Sequence, residues 1–222
     1  MRTNLGPTVN LDFLDGYLFR MLQEIAEARG LEDSGLLSYY GVRIEQKIGG
    51  LIEYEERLAR YLLASFPGRR VVHAGIGIGT LTCALACNGM TVAGIESMPQ
   101  RVESARQIRA AIVGIWPEVG DRYEIIEGFY PEALAGSAWL DSNAILIFTN
   151  VGAGWNDVVL DSVIQSMPRF EEVFLDLRLF GSVRERDEDR TVLFKRIAAS
   201  AKWAEKLPHV ATGVHLARFV FA

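Results

Sequence analysis

Apolar residues in the first part of the chain recur at three- and four-residue intervals. Leu11, Leu14, Leu18, Met21, Leu22 and Ile25 fall on one side of a helix predicted over residues 10–29, and Gly30 ends the run. A second helical segment is expected over residues 36–48 and is broken by Gly49-Gly50. A third, over residues 51–65, carries Leu51, Tyr54, Leu58, Tyr61 and Leu62 on one side and stops at Pro67-Gly68. From residue 70 the pattern changes to short apolar runs alternating with helical stretches. Strands are predicted over 70–73, 91–95, 123–127, 144–149, 173–177 and 214–221, and helices over 81–88, 99–112, 157–166 and 191–206. Pro99 suits the first turn of its helix. Strands alternating with helices imply an α/β fold with a doubly wound, mostly parallel sheet, in which ligands bind at the carboxyl ends of the strands.

Composition narrows the picture in two ways. A chain of 222 residues, half of them hydrophobic, can bury a normal core for one α/β domain with a modest extension. The net charge of -5 and pI near 5.3 argue against non-specific binding to a phosphate backbone, so a small-molecule substrate is expected and a nucleic-acid partner is not. Cys83 and Cys87 stand four apart on the helix after residue 80, share its face and read as small core residues. They form no metal-ligand spacing or disulfide framework. The amino terminus lacks a signal-like hydrophobic region and no apolar run is long enough for a bilayer, so the expected location is cytoplasmic, with no membrane partner. A homo-oligomer is left open.

The candidate chemistry lies in Val71-Val72-His73-Ala74-Gly75-Ile76-Gly77-Ile78-Gly79-Thr80-Leu81, a strand that runs through a glycine turn into a helix. Glycine lets a ligand approach the main chain, and the helix that follows presents N–H groups at its positive end. The longer dinucleotide pattern G-x-G-x-x-G is incomplete in either register, because Thr80 or Thr82 stands at the sixth position. The phosphate-loop pattern with its lysine is absent as well. What remains is G-x-G-x-G directly after a strand. A second anchor is Glu96, seventeen positions beyond Gly79 at the end of the next strand. A carboxylate there is suited to accept hydrogen bonds from both ribose hydroxyls of a nucleoside.

The glycine run, followed by Gly94-Ile95-Glu96-Ser97-Met98, resembles the class I S-adenosylmethionine-dependent methyltransferases. The recognisable motifs cover about residues 70–176. The resemblance implies a Rossmann-like sheet with an antiparallel terminal strand behind an N-terminal helical cap. It implies one methyltransferase-like domain over 1–222, with the cap at 1–68 and the Rossmann-like core at 69–222. It further implies that Gly75, Gly77 and Gly79 cradle the methionine part of S-adenosyl-L-methionine while Glu96, with Ser97 beside it, holds the ribose. Two positions depart from the family pattern. His73 stands where an acidic residue is usual, and can replace it by hydrogen bonding but not by charge. Phe129 stands at or beside the place of an acidic residue next to the adenine, where an aromatic ring can pack against a purine. Both departures motivate a rival reading, a catalytically silent cofactor-binding protein of the same fold. An NAD(P)-dependent oxidoreductase is a further rival, disfavoured by the missing third glycine.

The run 144–149 opens into Asn150-Val151-Gly152-Ala153-Gly154-Trp155. In the family this strand end faces the transferring methyl group, so Asn150 is the candidate for positioning a substrate amine or hydroxyl and a further cofactor contact. Methyl transfer from a sulfonium is an in-line displacement that asks mainly for alignment and exclusion of water. The absence of a Ser/His/Asp set therefore does not count against it. Ser38-Tyr39-Tyr40-Gly41 and Ile48-Gly49-Gly50 are expected over the site, with Tyr39 or Tyr40 capping cofactor or substrate. His209 and His215 read as structural, and the mixed-charge run 184–190 as a solvated loop or helix start.

Overall fold

The Asn10 side chain accepts from the Asp12 N–H at 2.8 Å and so caps the first helix, α1 (Leu11–Arg29), which buries Leu11, Leu14, Leu18, Met21, Leu22 and Ile25 and ends at Gly30. The computed structural model describes residues 9–37, 39–140, 143–149, 151, 155–177, 187–208, 210 and 216–221. Two further helices precede the first strand: α2 (Tyr39–Glu45) and α3 (Glu53–Ser65). The expected helix over 36–48 is thus only seven residues long. Past its end Lys47 takes a left-handed φ of +53° and the Ile48 N–H donates back to the Arg43 carbonyl at 2.9 Å, while the Arg43 guanidinium donates to the carbonyls of Gly49 and Gly50.

Beyond Gly68 strands and helices alternate: β1 (Arg70–Ala74), α4 (Thr80–Cys87), β2 (Thr91–Glu96), α5 (Pro99–Ile115), β3 (Tyr123–Glu127), β4 (Ala144–Phe148), α6 (Asp157–Ser166), β5 (Glu172–Asp176), α7 (Asp187–Ala198), β6 (Trp203–Lys206) and β7 (Leu216–Val220). The sheet has seven strands in the order β3-β2-β1-β4-β5-β7-β6. β2 with β3, β1 with β4 and β4 with β5 are parallel, whereas β7 runs antiparallel to both β5 and β6. This is the expected mostly parallel, doubly wound sheet with an antiparallel terminal strand.

One prediction is overturned. The helix expected over 191–206 ends at Ala198, and Trp203–Lys206 forms the edge strand β6. Ala, Glu and Lys favour helix locally, but a four-residue preference is weak beside a complete strand partner. Trp203 pairs with Val220 and Lys206 with Ala217, and Arg218 of β7 bonds Glu205 at 3.4 Å while lying 5.3 Å over the Trp203 ring.

The described chain folds as two units. The first comprises the residues up to Gly68 together with Ile76–Gly128. Its core includes α4, all eight residues of which are buried, against which β2 and α3 pack. The second comprises Arg69–Gly75 and the residues from Phe129 onward. There β1, β4 and β5 are buried almost throughout, and Arg218 locks β7 to β5 through Glu172 at 2.6 Å. Among the described residues no helix is long and apolar enough to cross a membrane.

Candidate functional site

The first unit contains the glycine turn. Gly77 and Gly79 have φ of +60° and +81°, left-handed values that favour glycine. Side chains from elsewhere also close on them: a Cβ at Gly77 would fall on the Tyr40 hydroxyl, and one at Gly79 on the Tyr123 hydroxyl. The turn's amides are held in sequence. Ile76 N–H donates to the Ile95 carbonyl at 3.0 Å, Gly77 N–H to Glu96 Oε2 at 2.9 Å, Ile78 N–H to the Tyr40 hydroxyl at 3.2 Å and Gly79 N–H to the Ile76 carbonyl at 2.9 Å. Gly79 then serves as N-cap of α4.

Glu96 ends β2 with only 6% of its surface exposed. Its Oε1 accepts from the Ser97 and Met98 N–H groups, each at 2.9 Å, while Oε2 takes Gly77. An ionised carboxylate offers about four lone-pair positions, so about one is left for a ligand hydroxyl. The sequence led us to expect two ribose hydroxyls on Glu96, whereas this geometry has room for one. The carboxylate is at once a clamp on the glycine turn and a residual acceptor beside it.

Above the turn lies a buried polar cluster that pattern reading did not single out, apart from its tyrosines. Tyr40 is 5% exposed, and its ring meets Tyr39 edge-on at 5.1 Å. The Arg43 guanidinium, one turn along α2 and 1% exposed, lies 5.4 Å from each tyrosine ring. It also ion-pairs with Glu55 of α3 at 3.5 Å. Glu55 accepts from the Ile52 N–H at 3.1 Å, and the Thr80 hydroxyl of α4 donates to it at 3.4 Å. Burial raises the Glu55 carboxyl above the ordinary range, with Arg43 opposing. Burial, helped by Glu55, pushes the Tyr40 phenol up to about 12. The available signal was the placement of Arg43 three positions after Tyr40, which puts both on the inner face of α2.

The second unit holds the other predicted residues. Gly75 follows β1 with φ +72°, against Val151. His73 is 2% exposed, and its Nε2 lies 2.8 Å from the Thr149 hydroxyl just past β4. Burial pushes the imidazole down to about 3, so it is neutral at physiological pH. His73 pairs with Ile147, and Ile147 with Phe174. By the two-residue period of strands, His73, Thr149 and Asp176 share one sheet face at the carboxyl ends of β1, β4 and β5. Asp176, 1% exposed, was not among the sequence candidates; its only signal was a carboxylate closing an apolar strand. Phe129 is 70% exposed and so is not a core residue. Asn150, Gly152, Gly154, Ser38, His209 and His215 lie outside the described residues.

Both cysteines are buried, and burial raises the Cys83 thiol and pushes Cys87 up to about 12, as expected of inert core residues.

No protein-family model matches the chain, and no curated protein matches it in sequence. Solved structures match its fold. The METTL16 methyltransferase domain is 12% identical with a TM-score of 0.53, over 75% of this chain and 66% of that one. The methyltransferase domain of bacterial CtHen1 is 12% identical with a TM-score of 0.59, over 77% of this chain and 97% of that one. Magnesium protoporphyrin IX methyltransferase (ChlM) from Synechocystis PCC 6803, solved with bound S-adenosylmethionine, is 17% identical with a TM-score of 0.54, over 76% and 78%. The chain thus spans just under two thirds of the METTL16 domain, and most of the other two. It has the class I methyltransferase fold.

Proposed function

We propose that the chain is an S-adenosylmethionine-dependent methyltransferase acting on a small-molecule acceptor. The observation that carries this reading is the bond from the Gly77 N–H to Glu96. It brings an acidic strand end onto a glycine turn, so that a carboxylate with about one acceptor position to spare adjoins the turn and the Tyr40 hydroxyl above it. The fold supports the same reading, since the likenesses include a methyltransferase solved with this cofactor.

The residues fit the cofactor. Gly77 and Gly79 let the Tyr40 and Tyr123 hydroxyls close on the turn, Glu96 accepts from one ribose hydroxyl, and Ser97, whose amide braces that carboxylate, fixes its orientation. Bound there, S-adenosylmethionine would supply a methyl group on a cationic sulfur, already activated for displacement. In the second unit, Gly75 lets Val151 close on the end of β1, neutral His73 holds Thr149, and Asn150 would position an acceptor amine or hydroxyl. The exposed Phe129 ring offers a face for a purine. The acidic net charge favours a small acceptor over nucleic acid.

Isothermal titration with S-adenosylmethionine and S-adenosylhomocysteine tests the cofactor; absence of binding by either at submillimolar concentration removes the basis of the proposal. Transfer of a labelled methyl group into size-fractionated cell extract, with and without nuclease, tests the acceptor. Label in a low-mass, nuclease-insensitive fraction is the expected result.

A further inference from the structure

We infer that Tyr40 is a ligand-positioning residue whose hydroxyl donates to the carboxylate of the bound nucleoside amino acid. The inference rests on the methyltransferase reading and adds a specificity contact to it.

A phenol can accept and donate at once. Tyr40 already accepts from the Ile78 N–H, which fixes its oxygen over the turn. Among the described residues its proton meets no acceptor. A buried O–H left in that state is costly, and the cost falls when a ligand brings an acceptor.

The surroundings keep this phenol protonated and so a donor. Burial first and Glu55 next oppose its ionisation, and Arg43 and Arg101 counter them only in part. Arg43 is bound to Glu55 and to the carbonyls of Gly49 and Gly50, and Arg101 Nε donates to the Gly35 carbonyl at 3.2 Å. The positive end of α4 begins at Thr80, two residues past Ile78. S-adenosylmethionine and its demethylated product carry one carboxylate and no other anion, so the carboxylate is the group this donor selects.

Tyr40 is also braced for the task. Tyr39 packs edge-on against its ring and Arg43 lies over both rings. A donor held this way loses little freedom on binding.

The test compares two ligands on two proteins by isothermal titration. S-adenosylhomocysteine has the carboxylate; 5′-methylthioadenosine keeps the nucleoside and sulfur but lacks the amino-acid group. Tyr40→Phe should weaken S-adenosylhomocysteine about tenfold, the scale of one charge-assisted hydrogen bond. It should leave methylthioadenosine unchanged. Equal weakening of both ligands, or of neither, overturns the inference while leaving the methyltransferase reading in place. If the unaltered protein binds neither ligand, the functional reading itself falls. Should Tyr40→Phe fail to fold, the carboxyl methyl ester of S-adenosylhomocysteine on the unaltered protein makes the same test: it should bind about tenfold more weakly than the free acid, and equal affinity overturns the inference.

Discussion

The Tyr40 hydroxyl stands where a side chain on Gly77 would begin. Gly77→Ala therefore meets two obstacles, a collision with that oxygen and a left-handed φ of +60°. The expected destabilisation is about 2–3 kcal/mol. Tyr40→Phe removes the oxygen but not the backbone strain, so the double variant should recover part of the loss. Urea unfolding of both single variants and the double variant measures the coupling; simple additivity would show that the two positions do not meet.

Glu96→Ala leaves the Gly77, Ser97 and Met98 amides without their charged acceptor. Stability should fall by about 3 kcal/mol, and nucleoside affinity should fall at least about tenfold. Glu96→Gln, which keeps one carbonyl oxygen, should lie between. Thermal melts and titration with methylthioadenosine check both effects. Unchanged affinity would remove Glu96 from the binding site.

Arg43→Met leaves Glu55 buried opposite no cation and should cost about 3–5 kcal/mol. Adding Glu55→Leu removes the stranded carboxylate and should restore a large part of that loss. Restoration should be incomplete, because Arg43 also satisfies the carbonyls of Gly49 and Gly50. Chemical denaturation of the three variants distinguishes this from a pair whose members act independently.

His73 gives stability a pH dependence. In the unfolded chain it takes up a proton below about pH 6.5, whereas in the folded protein burial holds it neutral down to about 3. Between those values the unfolded state binds more protons, so stability falls as pH falls, by up to about 1.4 kcal/mol per pH unit from this residue. Above pH 6.5 the effect is absent. His73→Gln keeps a hydrogen-bonding group without the titration and should flatten that part of the acid limb. Parallel slopes for the two proteins in urea unfolding between pH 4 and 6.5 would contradict this.

The glycine turn, the acidic strand end and the strand–helix alternation were legible in sequence because each rests on local rules. Turn residues need their own dihedrals, and buried parallel strands are continuous apolar runs. β6 was misread because only Trp203 in Trp203-Ala204-Glu205-Lys206 favours a strand; its structure comes from a partner beyond residue 215. Arg43 and Glu55 were missed because each alone is an ordinary surface residue, and only their pairing across α2 and α3 permits burial. Asp176 was passed over for the same reason, since its meaning depends on register with β4. The second role of Glu96, as clamp on the turn, could not be read from spacing, because it depends on which amides the carboxylate faces.

The membership of β1 has a consequence for how the chain is made and divided. Residues 69–75 belong with the C-terminal unit yet are bracketed in sequence by segments of the other. During translation this strand emerges long before β4, its partner in the pairing of Val71 with Ile145, exists. Closing so long a loop is slow compared with forming the helices of the first unit. No single truncation yields either unit complete: a fragment starting at Phe129 would present β4 with one edge unpaired, an invitation to self-association that the intact chain avoids.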